Sequence, residues 1–261
     1  MNLIAVDIGN TNINFGLFTE GEIKSVKRVP GDCEEKAGKT LENLWNKLPM
    51  LETSKEGKRN GTIVVSSVKP AWTKMLKKAA KDRLREKIYL IGKDISYPMD
   101  LSVTEPEKVG SDRVLSAAAA YAVIEQAVVV ADLGTAITID LVDDRGVFVG
   151  GTISPGFNIS TSALKDSTAL LKKVQVTRPN KPFGTTTKEA VNCGVYYSVI
   201  GTLQEVIRRY AEMIGTWPRT VITGSTAELV REDCEFIDSY VPNLVIKGIA
   251  LSYQKFLQER E

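Results

Sequence analysis

An α/β fold built from two similar half-domains is expected of this chain, on three observations. Strand-like and helix-like segments alternate along most of its length, the pattern of sheets covered by helices. The 261 residues, 43% apolar and 25% charged, leave room for one large or two small globular domains. Residues 4–18 read IAVDIGNTNINFGLF and residues 129–142 read VVADLGTAITIDLV. Each is an apolar strand, then Asp-x-Gly with Asn or Thr, then a second strand. A repeat at that separation suggests two related halves facing each other, divided here as 1–125 and 126–261.

The elements follow in order. Residues 3–6 form a short apolar run of buried-strand type, and 13–18 and 22–29 continue it as a meander with Gly16 and Gly21 near its turns. Leu41, Leu44, Trp45 and Leu48 recur at helical spacing over 33–48. Residues 52–61 are a polar loop, 63–65 a strand, and 70–86 a basic amphipathic helix whose lysines read as a solvated face. An Ala-rich helix over 109–126 precedes a strand series running from 127 to 153. Helices are expected over 156–171, 187–214 and 243–258, with a strand at 220–223. No Pro-rich linker divides the chain.

Composition excludes several chemistries. There is no histidine, so Ser-His-Asp catalysis, Cys-His catalysis and His-ligated zinc are absent. Acid–base work falls to Asp, Glu, Lys, Tyr or Cys. Cys33, Cys193 and Cys234 are scattered and form no CxxC pair, which suits a reducing compartment. The net charge of +2 argues against nucleic-acid or polybasic membrane binding. The apolar start is too short for a signal peptide, and no run approaches ~18 apolar residues. A cytoplasmic protein is expected.

The two Asp-Gly turns carry the chemistry. Glycine lets the chain reverse at Gly9, and backbone N–H groups around such a bend converge on anions. Asn10, Thr11 and Asn12 add neutral donors. Asp7 would repel phosphate directly, so it is expected to act through Mg²⁺ and its water shell. Asp132, Gly134, Thr135, Thr138 and Asp140 repeat the design. Either turn alone reads as an Asx-type hairpin without ligand; the pair favours a grip on a triphosphate. Gly38-Lys39-Thr40 resembles the end of a P-loop, but Cys33 stands where that motif needs glycine, and no Gly-x-Gly-x-x-Gly occurs.

Asp7-Ile8-Gly9-Asn10-Thr11-Asn12 and Asp132-Leu133-Gly134-Thr135-Ala136 resemble the two phosphate motifs of the acetate/sugar kinase, heat-shock chaperone and actin superfamily. Three further stretches narrow the resemblance to type III pantothenate kinase: Gly110-Ser111-Asp112-Arg113, the segment from Gly150 to Gly156, and Gly184-Thr185-Thr186-Thr187-Lys188-Glu189-Ala190. The ordered set covers nearly the whole chain. It implies two ribonuclease-H-like, actin-like ATPase halves facing a nucleotide cleft. It also implies transfer of the ATP γ-phosphate to pantothenate at the start of coenzyme A synthesis, Mg²⁺, a monovalent cation (K⁺ or NH₄⁺), and a homodimer.

Residue by residue, the resemblance implies that Asp7, Ile8, Gly9, Asn10, Thr11, Asn12, Ile13 and Asn14 line the ATP site, with Thr135 reaching phosphate from the other half. Asp112 matches the proton acceptor; its alternative is a helix-start carboxylate favourable to the helix dipole. Gly110, Ser111, Asp112 and Arg113 bind substrate, Arg113 through its planar fork or else as the ion partner of Asp112. Thr187 matches a substrate-contacting residue, with N-cap of helix 188–214 as its plain alternative. Thr168 matches a threonine at the pantothenate interface. Asp132 matches the monovalent-cation ligand, a hairpin cap being the alternative, and Thr223-Gly224 lies on the adenine side. The chain departs from the family at Val103, where an aromatic is usual, at Leu170-Leu171 and at Ser225. These departures leave open a regulatory nucleotide-binding relative, or a kinase of another small alcohol.

Overall fold

Leu3–Ile8 is apolar at every position but Asp7, and burial on both faces makes it the central strand, β1, of a five-stranded sheet. It pairs antiparallel with β2 (Asn12–Thr19), which pairs antiparallel with β3 (Glu22–Pro30). On its other side it runs parallel to β4 (Thr62–Ser67), which carries β5 (Ile88–Leu90) at the edge. The sheet order is therefore β3-β2-β1-β4-β5. The computed structural model describes residues 1–51 and 58–260. Residues 52–57 of the expected polar loop lie outside them.

The second sheet repeats this wiring. β6 (Val128–Leu133), β7 (Ala136–Val142) and β8 (Phe148–Pro155) form an antiparallel meander, and β9 (Arg219–Thr223) and β10 (Ser239–Tyr240) add parallel strands beyond β6. Counted from its own first strand, the order is again third, second, first, fourth, fifth. Two ribonuclease-H-like halves, as the resemblance implies, have this order.

Helices cover the sheets. Ile4, Val6 and Ile8 on one face of β1 pack with Leu41, Leu44 and Trp45 of α1 (Glu34–Trp45) and Leu76 of α2 (Pro70–Ala79). Leu3 and Ala5 on the opposite face pack with Leu115 of α3 (Ser111–Ile124) and with Val245, Ile246 and Ile249 of the C-terminal helix (Leu244–Gln258). In the second sheet Val129, Ala131 and Leu133 meet Phe157 of α4 (Phe157–Asp166) and Tyr196, Val199 and Leu203 of α5 (Thr187–Ile214). A short α6 (Ala227–Val230) follows β9, so the C-terminal helix is α7.

The chain divides into two compact units. One is 1–99, 105–119 and 244–261; the other is 100–104 and 120–243. Residues 244–261 join the first unit because α7 buries its apolar face on β1 and β4, not on the sheet nearest to it in sequence, and 100–104 join the second through the bridge from Leu101 to Phe148.

Local differences have local causes. The helix expected over 70–86 is α-helical to Ala79, continues as a wider five-residue π-turn over Ala80–Leu84, and stops at Arg85, whose φ is +59°. The helix expected to reach 171 ends at Asp166: Thr168 Oγ1 donates to the Leu164 carbonyl at 2.8 Å, a side-chain bond that competes with helical pairing. The N-cap of α5 is Thr186 rather than Thr187. Its hydroxyl accepts from the Glu189 amide, and Glu189 reaches back to the Thr186 amide.

Candidate active site

In the first unit the site begins at the end of β1. Gly9 N donates to Asn12 O at 3.0 Å, closing the bend, and the Gly31 amide holds Thr11 O from β3's end at 3.1 Å. Asn10 and Thr11 are exposed; Gly9 and Asn12 are half-buried. Ile8 and Ile13, paired across the hairpin, are wholly buried in the core, so these two expected ATP-site residues can offer only backbone.

Asp7 is only 8% exposed, so its carboxylate has to be paired. Asn14, opposite it on β2, donates from Nδ2 to Asp7 Oδ2 at 2.9 Å. Arg28 on β3 donates in turn to Asn14 Oδ1 at 2.9 Å, which orients that amide toward Asp7. Asn14 thus acts here as a brace for Asp7.

On the parallel side, Asp7 is in register with Ser66 of β4. Ser66 Oγ lies 2.8 Å from Ser111 Oγ, a buried hydroxyl pair joining the end of β4 to the first residue of α3. Leu115, one turn on, fixes the same helix against the sheet. The structure thereby brings the Asp7 turn and the Gly110-Ser111-Asp112-Arg113 segment to one end of one sheet.

Asp112 is half-buried in the first turn of α3, and its Oδ1 accepts from the Arg113 amide at 2.9 Å. A Cβ on residue 110 would stand 2.6 Å from that oxygen, so glycine there is what lets the carboxylate fold back over the turn. Burial raises the carboxyl above its ordinary range, and the Arg113 amide and charge counter it only in part. Tyr97 feels this carboxylate: burial first, then the Asp112 charge, raises its phenol. An aromatic therefore stands within electrostatic reach of Asp112, where sequence register could not align one.

The second unit builds the matching bend. Gly134 N donates to Ala136 O at 3.0 Å, and Gly156 N to Thr135 O at 3.1 Å, so β8's end backs the turn. Thr135 is exposed, and Asp132, opposite Thr138 on β7 and Thr223 on β9, is half-buried. After β9 the chain turns through Gly224 at φ +103°, and the Thr226 amide and hydroxyl both donate to Leu133 O, at 3.0 and 2.9 Å. Any side chain on Gly224 would meet Asp132 Oδ1 and the Leu133 backbone, each 2.5 Å from its Cβ. The Thr223-Gly224 segment thus lies directly on the second bend.

Thr187 and Leu170-Leu171 line a cavity of about 410 Å³ with Lys172, Lys173, Val174, Lys188 and Val191. Thr168 is not among its walls; its hydroxyl donates to Leu164 O and accepts from the Leu171 amide, which ties down the end of α4. Val103 sits beside Gly150, in a segment bonded to β8 through Ser102 and Phe148.

Comparison with known proteins identifies relatives of the chain. A family model described as type III pantothenate kinase matches residues 3–209. The chain is 32% identical over 252 residues to the type III pantothenate kinase of Dehalococcoides mccartyi (strain CBDB1), covering 97% of this chain and 95% of that protein. It is 31% identical over 256 residues to the protein of the same name from Brevibacillus brevis, covering 97% and 98%. Among solved structures, MreB5 of Spiroplasma citri bound to ADP matches with a TM-score of 0.53 over 99% of this chain and 98% of that one, at 11% identity. That last likeness is one of fold alone.

Proposed function

The chain belongs to the type III pantothenate kinase family, and from that membership we propose which of its residues carry the reaction. The activity is ATP-dependent phosphorylation of pantothenate to 4′-phosphopantothenate, which opens coenzyme A synthesis. Phosphoryl transfer asks a protein mainly for positioning and charge stabilisation. The pantothenate hydroxyl attacks the γ-phosphorus, ADP leaves, and the hydroxyl proton passes to Asp112. The observation that carries this assignment is the half-buried carboxylate of Asp112, folded over its own turn at the sheet end where Asp7 sits. A raised carboxyl is a stronger base than an exposed one, which suits proton abstraction near neutral pH.

Arg113 orients the acceptor, and Thr187 is a further substrate-contacting residue. The backbone of Gly9 to Asn12 and the Thr135 hydroxyl hold phosphate. Mg²⁺ would be held by Asp7 through water and by phosphate oxygens, where it would neutralise developing charge. Asp132 would hold the monovalent cation beside the second bend.

A cytoplasmic homodimer completes the reading. Ile153, Ile159, Leu170 and Phe183 of the second unit are exposed apolar side chains that a partner would cover, and a two-fold pair is the usual arrangement. Sedimentation at working concentration is expected to show twice the chain mass; a monomer throughout would remove the dimer.

Incubated with ATP, Mg²⁺ and K⁺, the protein is expected to convert pantothenate to a phosphorylated product visible by ³¹P NMR. Chelation of Mg²⁺ should stop transfer, and exchange of K⁺ for Na⁺ should slow it. Bound ATP with no turnover on pantothenate would overturn the activity, and turnover indifferent to K⁺ would remove the role of Asp132.

A further inference from the structure

Lys69 follows β4 and caps the start of α2, one residue before the basic helix expected over 70–86. Its Nζ donates to the carbonyl of Asn10, at the tip of the first bend, at 3.1 Å. The same ammonium stands 3.5 Å above the centroid of the Trp72 ring. Trp72 in turn packs on Gly31, where a Cβ would lie 1.7 Å from the ring, and the Gly31 amide holds Thr11 O. Asn10 and Thr11, the two exposed residues of the bend, are thus gripped by Lys69 and Gly31, with Trp72 between them.

The second unit shows what is particular about this. There the residue at the equivalent place, after β9 and before α6, is Thr226, which bonds Leu133 through a neutral hydroxyl. The first bend has a cation instead. An ammonium has three donors, of which one serves Asn10, and the aromatic face holds the side chain in place without consuming its charge.

We propose that Lys69 is a phosphate-binding residue of the first bend, fixed over it by Trp72 and contributing charge toward the distal phosphates of the nucleotide. This rests on the reading of that bend as a phosphate site. It also assigns the bend the positive group that its neutral donors lack.

The test is isothermal titration of the full chain with ATP, ADP and AMP, comparing the parent with K69M, K69Q and K69R. Loss of a charge-assisted hydrogen bond to phosphate should weaken ATP binding roughly tenfold in K69M and K69Q. ADP should lose less and AMP least, and K69R should recover most of the ATP affinity. A Lys69 that only braces the bend would cost all three nucleotides the same factor. That outcome, or unchanged ATP affinity in K69M and K69Q, overturns the proposal. If the parent itself fails to bind ATP, the phosphate reading of the bend falls, and this inference falls with it.

Discussion

Asp112→Asn is expected to lower kcat by roughly 10²–10⁴-fold, the usual contribution of a positioned general base, while leaving the fold intact. Asparagine keeps the shape and the acceptor for the Arg113 amide but cannot take a proton. The stability change should run the opposite way. Burial raises the Asp112 carboxyl in the folded state, so the native chain holds that proton more firmly than the unfolded one does. The resulting stabilisation is fully present below the unfolded pKa and is lost as pH rises through the folded one. At neutral pH the charged carboxylate is therefore a standing cost, and the variant should melt at or above the parent's Tm. The gap should close in acid. In the parent, kcat/KM should fall on the acid side at a pH above that of an ordinary exposed aspartate. Undiminished turnover by Asp112→Asn would remove the proposed base.

Gly224→Ala should do the most damage to the second bend. Its φ of +103° is strained for any residue with a Cβ, and that Cβ would stand 2.5 Å from the Leu133 backbone, which cannot swing away as a flexible side chain can. Strain and collision together should cost about 3 kcal/mol, or roughly 5–10 °C in Tm for a protein of this size. Displacement of Asp132, the other atom in the way, should weaken ATP binding and the response to K⁺ beyond what the loss of stability explains. A variant with the parent's Tm and ATP affinity would show that the bend relaxes freely and that Gly224 is a turn residue without a role at the site.

Much of the site can be read in one dimension because its parts are short and contiguous. The strand-bend-strand units around Gly9 and Gly134 are local hairpins, closed by bonds between residues two or three apart, so the repeat in sequence is a repeat in structure. The Gly110-to-Arg113 segment is also self-contained, down to the bond from the Arg113 amide to the Asp112 side chain. Thr186 and Glu189 form a capping box with an equally local signature, and misplacing the cap by one residue reflects three consecutive threonines.

Elements that exist only by pairing were not readable. β5 and β10 have three and two residues, too few for a period, and are strands because β4 and β9 offer them an edge. The last helix lies nearest the second half in sequence, yet its apolar face is buried on the first sheet. Ser66 gives no sign in sequence that it holds Ser111, forty-five residues away. Lys69 looks like any surface lysine until Trp72 and Asn10 are seen around it.

The sequence alone determined the two Asp-Gly bends, the carboxylate of the Gly110-to-Arg113 segment and the absence of histidine chemistry, because bonds within a few residues and a residue count need no partner to interpret. Only the tertiary structure decided that Asp7 and Asp112 share one sheet end, that Asn14 serves Asp7, and that Lys69 leans on the first bend. Those are contacts between distant segments, made when apolar faces on several strands and helices are buried together, and no single segment encodes the place it will take.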